Sequence, residues 1–315
     1  MNFDVIIIGG GAAGLSAELW CAELGLNALL LEAETELGGQ LLWTHNQIKN
    51  HLGIEAENGR KLRDIFIRQV ERRQFNHRLH SEISDIDFEN KRISLKSGEG
   101  FSAQSLVIAT GIRRRKLNVA GEEKFKNKGI IESGKRDGNL VKGKKALIVG
   151  GGDAAFENAL ILAKTASEVT LVHRQRKFRA RAEFVEQAKN NPKVKILTGI
   201  TVREFVGKTR IEAVELENLE TKQKFTLAIE AVLIRIGVEP NTEILCGKLE
   251  LDEQGYVKID QHCETNVKDI YAIGDVANPI APTISSAVGM GATAAKAISN
   301  YKLRIEEEIS RIRNS

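Results

Sequence analysis

The chain reads as an α/β protein of two interleaved Rossmann-like dinucleotide-binding domains, each a three-layer ββα unit. Two observations predict this. The apolar run Val5-Ile6-Ile7-Ile8 leads directly into Gly9-Gly10-Gly11-Ala12-Ala13-Gly14, and Ala146-Leu147-Ile148-Val149 leads into Gly150-Gly151-Gly152-Asp153-Ala154-Ala155. Each is a strand, a glycine turn and a helix start, in that order. Such a turn lets the backbone approach a pyrophosphate and aims the positive end of the helix at it. One such turn is weak evidence; the same order twice in one chain is strong.

The elements follow in sequence. A helix over residues 16–24 precedes the strand Ala28-Leu29-Leu30-Leu31, which ends at Glu32. That acid lies about 20 residues past the first glycine, where a carboxylate accepts hydrogen bonds from an adenosine ribose. Gly38-Gly39-Gln40-Leu41 turns into an apolar stretch ending at Trp43. A helix is expected over 59–73, with Leu62, Ile65, Phe66 and Val70 on one face. Strands over 92–95 and 105–109 follow, the second ending Ala109-Thr110-Gly111, and residues 111–117 lead into the second domain. That domain holds a helix over 155–164 and strands over 193–197, 212–216 and 231–236. Gly237-Val238-Glu239-Pro240 crosses back, a hairpin is expected over 249–259, and the stretch 269–275, ending Gly274-Asp275, returns to the first domain. The expected domains are therefore 1–117 with 246–315, and 118–245. At the C-terminus Tyr301, Ile305, Ile309 and Ile312 share one helical face, suited to docking on the same domain or on a second subunit.

The second glycine unit differs from the first where its next strand ends. Val169-Thr170-Leu171-Val172 is followed by His173-Arg174-Gln175-Arg176-Lys177-Phe178-Arg179, with no acid. A carboxylate there would repel a ribose 2′-phosphate, whereas guanidinium groups bind one through paired, charge-assisted hydrogen bonds. The first unit is thus expected to take FAD and the second NADP(H), with His173, Arg174 and Arg179 beside the phosphate.

Composition sets the outer bounds. The 315 residues, 42% hydrophobic and 28% charged, suffice for two domains with their own cores. No apolar run approaches the roughly 20 residues needed to span a bilayer, and no secretory leader is read at the N-terminus. Three cysteines, Cys21, Cys246 and Cys263, make no disulfide framework, so a cytoplasmic location is expected. A formal net charge of +4 without a recognition motif does not argue for nucleic acid, and no cluster has metal-ligand spacing.

With these residues in hand, the chain resembles the low-molecular-weight thioredoxin reductase family of FAD- and NADPH-binding enzymes. The resemblance runs nearly the whole length. It rests on the two glycine turns, Glu32, Gly38 to Leu41, Ala109-Thr110-Gly111, His173-Arg174 with Phe178-Arg179-Ala180, and the segment from Tyr271 to Asp275. It implies that Asp275 contacts the ribityl–pyrophosphate region of FAD, that Asn50 lies close to the flavin, and that the protein is a homodimer. His51, beside Asn50, is a candidate for managing flavin protons.

The departure from the family is as informative. Members that reduce thioredoxin carry a Cys-x-x-Cys before the second glycine turn; here those positions hold Ser133 and Arg136, within Ser133-Gly134-Lys135-Arg136-Asp137-Gly138. Neither supplies the thiolate that disulfide exchange requires. The related bacillithiol disulfide reductases carry a cysteine in the first glycine turn, where this chain has Ala12 and Ala13. The pattern is similar to the ferredoxin/flavodoxin–NADP reductases built on the same fold, which implies an external acidic carrier. Arg113-Arg114-Arg115-Lys116, Lys126, Lys128, Lys135 and Arg136 are candidates for its landing surface. Two other readings stay open: reduction of a substrate disulfide directly at the flavin, and a diflavin or redox-sensing protein whose second site holds another nucleotide.

Overall fold

The structure is a computed structural model that describes residues 2–73 and 75–313, with residue 2 and residues 304–313 described by backbone alone. The chain divides into two compact units, Met1–Arg113 with Glu239–Ser315, and Arg114–Val238. Both divisions fall a few residues ahead of the expected 117/118 and 245/246. The two crossing segments, Ile112–Arg114 and Val238–Pro240, pair as a two-stranded ribbon.

In the first unit the strand Asn2–Ile8 lies between Ala28–Leu31 and Gly100–Ile108, parallel to both. Its apolar run is continuous because both faces are covered. Val5 and Ile7 enter a core shared with the helices Ala12–Glu23 and Ile284–Arg313, while Ile6 and Ile8 enter a second core with Ile86, Ile93 and Leu95. The strand Gly100–Ile108 serves two layers. Its C-terminal half pairs with Asn2–Ile8 and with Ile270–Ala272, and its N-terminal half turns into an antiparallel meander with Arg92–Leu95 and Ile83–Asp87. That is the expected three-layer arrangement of sheet, meander and helices.

The second unit repeats the plan. Five parallel strands run in the order Val194–Thr198, Glu168–His173, Lys145–Gly150, Ala231–Arg235, Ile130–Ile131. The helices Asp153–Ala163 and Ala182–Lys189 supply Phe156, Leu162 and Ala188 to the core on one face, and the meander over 200–228 supplies Val202, Phe205, Val214 and Leu216 to the core on the other.

Both glycine-turn helices start earlier than expected, at Ala12 and Asp153, because Gly11 and Gly152 are themselves the N-caps. The expected hairpin over 249–259 is reduced to a single antiparallel bridge, Leu251 to Val257. Asp252 takes the backbone donors there: its Oδ1 accepts from Gln254 N at 2.8 Å and Tyr256 N at 2.9 Å, which closes a turn instead of a ladder. The C-terminal helix runs to Arg313, but the side chains of Ile305, Ile309 and Ile312, expected on its apolar face, lie outside the described residues. No described helix is long and apolar enough to cross a membrane.

Candidate functional site

The first glycine turn is closed too tightly for side chains. A Cβ on Gly14 would lie 1.9 Å from the Gly9 carbonyl oxygen, so the helix can begin this close to the strand end only with glycine. Opposite the turn, Glu32 is held by two backbone donors: Gly10 N–H to Oε2 at 2.7 Å and Glu34 N–H to Oε1 at 3.0 Å. Its carboxylate is thereby oriented before any ligand arrives.

Around this turn opens a cleft of about 940 Å³ within the first unit, at the upper end of the roughly 300–1,000 Å³ range of ligand pockets. Gly9, Gly11, Ala12, Ala13 and Glu32 line one part of it, and Gly39, Gln40 and Leu41 another. Ala109, Thr110, Gly111 and Asp275 line the rest of it, with Gly274 just behind, against Ala13. Asp275 accepts no hydrogen bond among the described residues, and burial raises its carboxyl pKa above the usual range. A half-buried carboxyl facing a cleft without donors is matched to a ligand that brings hydroxyl groups.

Asn50 and His51 do not line this cleft. Ile48 bridges back to Ala56, which puts them in the intervening loop. There His51 Nδ1 lies 3.0 Å from Ser285 Oγ, and its ring is edge-on to Phe66 with centroids 5.9 Å apart.

Asn241 and Glu243 enter the cleft without having been read from sequence, and Arg113, expected on a carrier's landing surface, lines it with them. Arg113 donates to Glu239 Oε1 and Asn241 Oδ1, both at 3.0 Å, and to Glu243. Asn241 and Thr110 exchange two hydrogen bonds, Asn241 Nδ2 to Thr110 O at 2.7 Å and Thr110 Oγ1 to Asn241 O at 2.9 Å. These ties clamp the Ala109-Thr110-Gly111 turn. Their only trace in the sequence is the pair Pro240-Asn241 following Gly237.

The second glycine turn has its own arrangement. Gly150 ends the central strand, Gly152 caps the helix, Asp153 and Ala154 form its first turn, and Ala155 is buried beneath. The His173 imidazole packs on Gly151, where a Cβ would lie 2.4 Å from Cε1. Its Nε2 is buried without a hydrogen-bond partner. Burial, followed by the charges of Arg174 and Arg179, holds this imidazole below its usual pKa. The basic segment then folds back: Arg179 N and Ala180 N donate to Gly151 O at 2.9 and 3.2 Å, and Asp153 accepts from Arg181 N at 2.7 Å and Arg181 Nε at 3.0 Å. Asp153 is thus occupied in pinning this segment. Arg174 and Arg179 remain exposed and form no ion pair among the described residues, unlike Arg176, which pairs with Glu220, and Arg181, which pairs with Asp153.

Ahead of the second glycine turn, the segment from Ser133 to Gly138 builds a capped turn. Ser133 Oγ accepts from Arg136 N at 3.3 Å. Asp137 accepts from Glu132 N, Ser133 N and the Arg136 guanidinium, the last at 2.6 and 2.9 Å. The Arg136 side chain is therefore turned back onto its neighbour, and those interactions lower the Asp137 pKa despite its burial.

Comparison with known proteins agrees with this geometry. Residues 3–291 match the family described as pyridine nucleotide-disulphide oxidoreductase, and the chain belongs to that family. It is 33% identical over 301 residues to the "34.2 kDa protein in rubredoxin operon" of Clostridium pasteurianum, covering 95% of this chain and 97% of that one. It is also 33% identical over 308 residues to the thioredoxin reductase of Peptoclostridium litorale, covering 95% and 96% respectively. The crystal structure of Lactococcus lactis thioredoxin reductase superposes with a TM-score of 0.83 at 31% identity, covering 96% of this chain and 99% of that one. The protein is an FAD-dependent, NADPH-linked oxidoreductase of the thioredoxin reductase type.

Proposed function

We propose that this enzyme passes electrons between NADPH and an external carrier through FAD, with no sulfur relay on its own chain. The observation that carries the reading is the Ser133–Arg136 turn, which has no thiol. Two of the three cysteines of the chain are sealed away from exchange. Cys21 and Cys263 are buried in the core of the first unit, and burial raises both thiols, that of Cys263 to about 11 and that of Cys21 further. Such thiols are inert because the thiolate is the exchanging species. Cys246 is exposed, and its Sγ lies 3.5 Å from Thr242 O.

In this reading the glycine turn from Gly9 to Gly14 and the helix behind it receive the FAD pyrophosphate, and Glu32 accepts from a ribose. Asp275 accepts from the ribityl–pyrophosphate region. In the second unit the turn from Gly150 to Ala155 receives the NADPH pyrophosphate, while Arg174 and Arg179 hold the 2′-phosphate beside His173. FAD, when bound, supplies hydride acceptance and one-electron release, so a one-electron carrier is a suitable partner. Ferredoxin and flavodoxin are the leading classes, and the relative named for a rubredoxin operon adds rubredoxin. The reading carries with it a homodimer working in the cytoplasm.

The test is anaerobic stopped-flow mixing of the FAD-loaded enzyme with NADPH, followed by each of the three carriers. Rapid bleaching of the flavin and reduction of at least one carrier are expected. A flavin that stays oxidised for minutes would sink the proposal. The thioredoxin reductases among the relatives favour a second reading, reduction of a substrate disulfide at the flavin. NADPH-driven turnover of oxidised thioredoxin in the same assay, with no carrier reduced, would select it.

A further inference from the structure

The second unit contains a smaller recess of about 160 Å³, bordered by Arg114, Arg115, Lys126, Ile131, Glu132 and Arg235. It lies at the C-terminal ends of two parallel strands, Ile130–Ile131 and Ala231–Arg235, the end of an open α/β sheet at which ligands bind. Two guanidinium groups converge on one carbonyl there: Arg114 Nη1 and Arg235 Nη2 donate to Glu132 O at 2.6 and 2.5 Å. Arg114 is also paired with the Glu132 carboxylate at 3.2 Å. Arg235 forms no ion pair among the described residues; its second bond goes to Ile234 O at 2.8 Å, leaving the rest of its five N–H donors unused. Burial, followed by the charge of Arg114, pushes the Arg235 guanidinium down to about 10. Glu132 and Asp137 act on it only through space, without a direct ion pair among the described residues, so a half-buried cation with unused donors beside a recess is a place where an incoming anion gains interaction that solvent does not already provide.

The other two acids of the lining are engaged elsewhere. Glu122 accepts from the backbone of Leu117 and Asn118 at 3.1 and 2.7 Å, and Glu123 is engaged by Lys116 at 2.6 Å. Arg115 spends its Nε on Val238 O at 2.9 Å and meets no carboxylate. Lys126, Lys128 and Lys135 are exposed and form no ion pair among the described residues. The recess is well below the roughly 300 Å³ at which small-molecule pockets begin, so it fits the head of one side chain. Lys128 and Lys135, two residues after Lys126 and three after Glu132 in the chain, do not line it.

We propose that this recess receives an aspartate or glutamate side chain of an acidic electron-carrier protein, with Arg235 and Arg114 gripping the carboxylate and Lys126, Lys128 and Lys135 steering its approach. The proposal rests on the carrier reading above. It is separable from that reading because Lys126 can be altered without touching either glycine turn, whereas Arg235 is the strand partner of Gly150.

The experiment measures anaerobic NADPH-driven reduction of flavodoxin, ferredoxin and rubredoxin by the wild type, Lys126→Glu and Arg235→Gln, with menadione as an uncharged small acceptor. Each variant is expected to raise the KM for the carrier by about 5-fold or more at low salt. That difference should shrink towards unity near ~0.5 M salt, where charges several ångströms apart are screened. Menadione turnover by Lys126→Glu should match the wild type. Carrier turnover with KM and salt dependence unchanged in both variants would overturn the recess and leave the carrier reading standing. If the wild type reduces none of the three carriers, both fall. Should Arg235→Gln not fold, the surface variant Lys126→Glu alone decides. Equal losses with menadione and carrier in that variant would assign the effect to the cofactors and overturn the docking role.

Discussion

Glu18 shows how far a single side chain can depart from what its sequence context announces. It lies within the helix Ala12–Glu23 at 2% exposure, and its Oε2 has no partner among the described residues. Burial alone pushes its pKa up to about 8. The folded protein therefore keeps a proton that the unfolded chain releases near pH 4.3, and between those values the unfolded state binds fewer protons. Stability must fall as pH rises through that window, with a slope approaching about 1.4 kcal/mol per pH unit, and level off above the folded pKa. Glu18→Gln removes the titrating group, so its advantage over the wild type should grow from pH 5 to pH 8 in thermal melts; a constant offset would contradict the burial argument. A second residue-scale prediction concerns the unpaired cations beside His173. Arg174→Ala with Arg179→Ala should weaken NADPH binding by roughly 10-fold or more while leaving NADH binding within about twofold, as expected for charge-assisted bonds to a phosphate. Equal losses in fluorescence titrations would move the 2′-phosphate elsewhere. Such residues divide cleanly by legibility. Glu32, Arg174 and Arg179 could be read because a glycine turn fixes how far along the chain their positions fall. Arg113 with Asn241, and Arg235 with Glu132, are bound across 128 and 103 positions, and no local spacing announces such partners.

At the scale of elements, what was legible was whatever depended on one segment's own pattern. The strands flanking each turn are apolar throughout because sheets covered on both faces leave no polar side, so their runs stand out. The double service of Gly100–Ile108 was less visible; only its apolar end, 105–109, was expected as a strand, since the rest, Gly100 to Gln104, is mixed in polarity. Helix-on-helix contact was invisible because it requires the partner. Gly291 of the C-terminal helix sits against the glycine-turn helix so closely that a Cβ would lie 2.6 Å from Ala13 O and 2.8 Å from Ala17 N. Ser16 Oγ donates to Val288 O at 2.7 Å across the same contact. Gly291→Ala should therefore push the helices apart, costing about 1–3 kcal/mol in denaturant unfolding, as overpacking does. Because Ala13 belongs to the turn lining the cofactor cleft, FAD retention on gel filtration should fall with it. An unaltered midpoint would mean the helices can part without loss.

For the whole molecule, the question is where electrons leave. The family is named for disulphide chemistry, and this chain carries the two glycine turns and the fold, with Ser133 and Arg136 in the capped turn ahead of the second glycine turn. Within the first unit, two of the three cysteines are sealed in a core with Val5, Ile7 and Tyr271, where a small apolar residue would serve as well. The route therefore cannot depend on them if the reading is right. A variant carrying Cys21→Ala, Cys246→Ser and Cys263→Ala should lose a little stability from the two core truncations, on the order of 1 kcal/mol each. Its flavin should nonetheless be bleached by NADPH at a rate within about twofold of the wild type, and reduction of the external acceptor should persist, because the nicotinamide and flavin carry the chemistry. The decisive measurement is trapping during turnover with a partner that bears a reactive thiol. A mixed disulfide to Cys246, the exposed cysteine, accompanied by loss of turnover in the triple variant, would return the enzyme to sulfur chemistry by a different route.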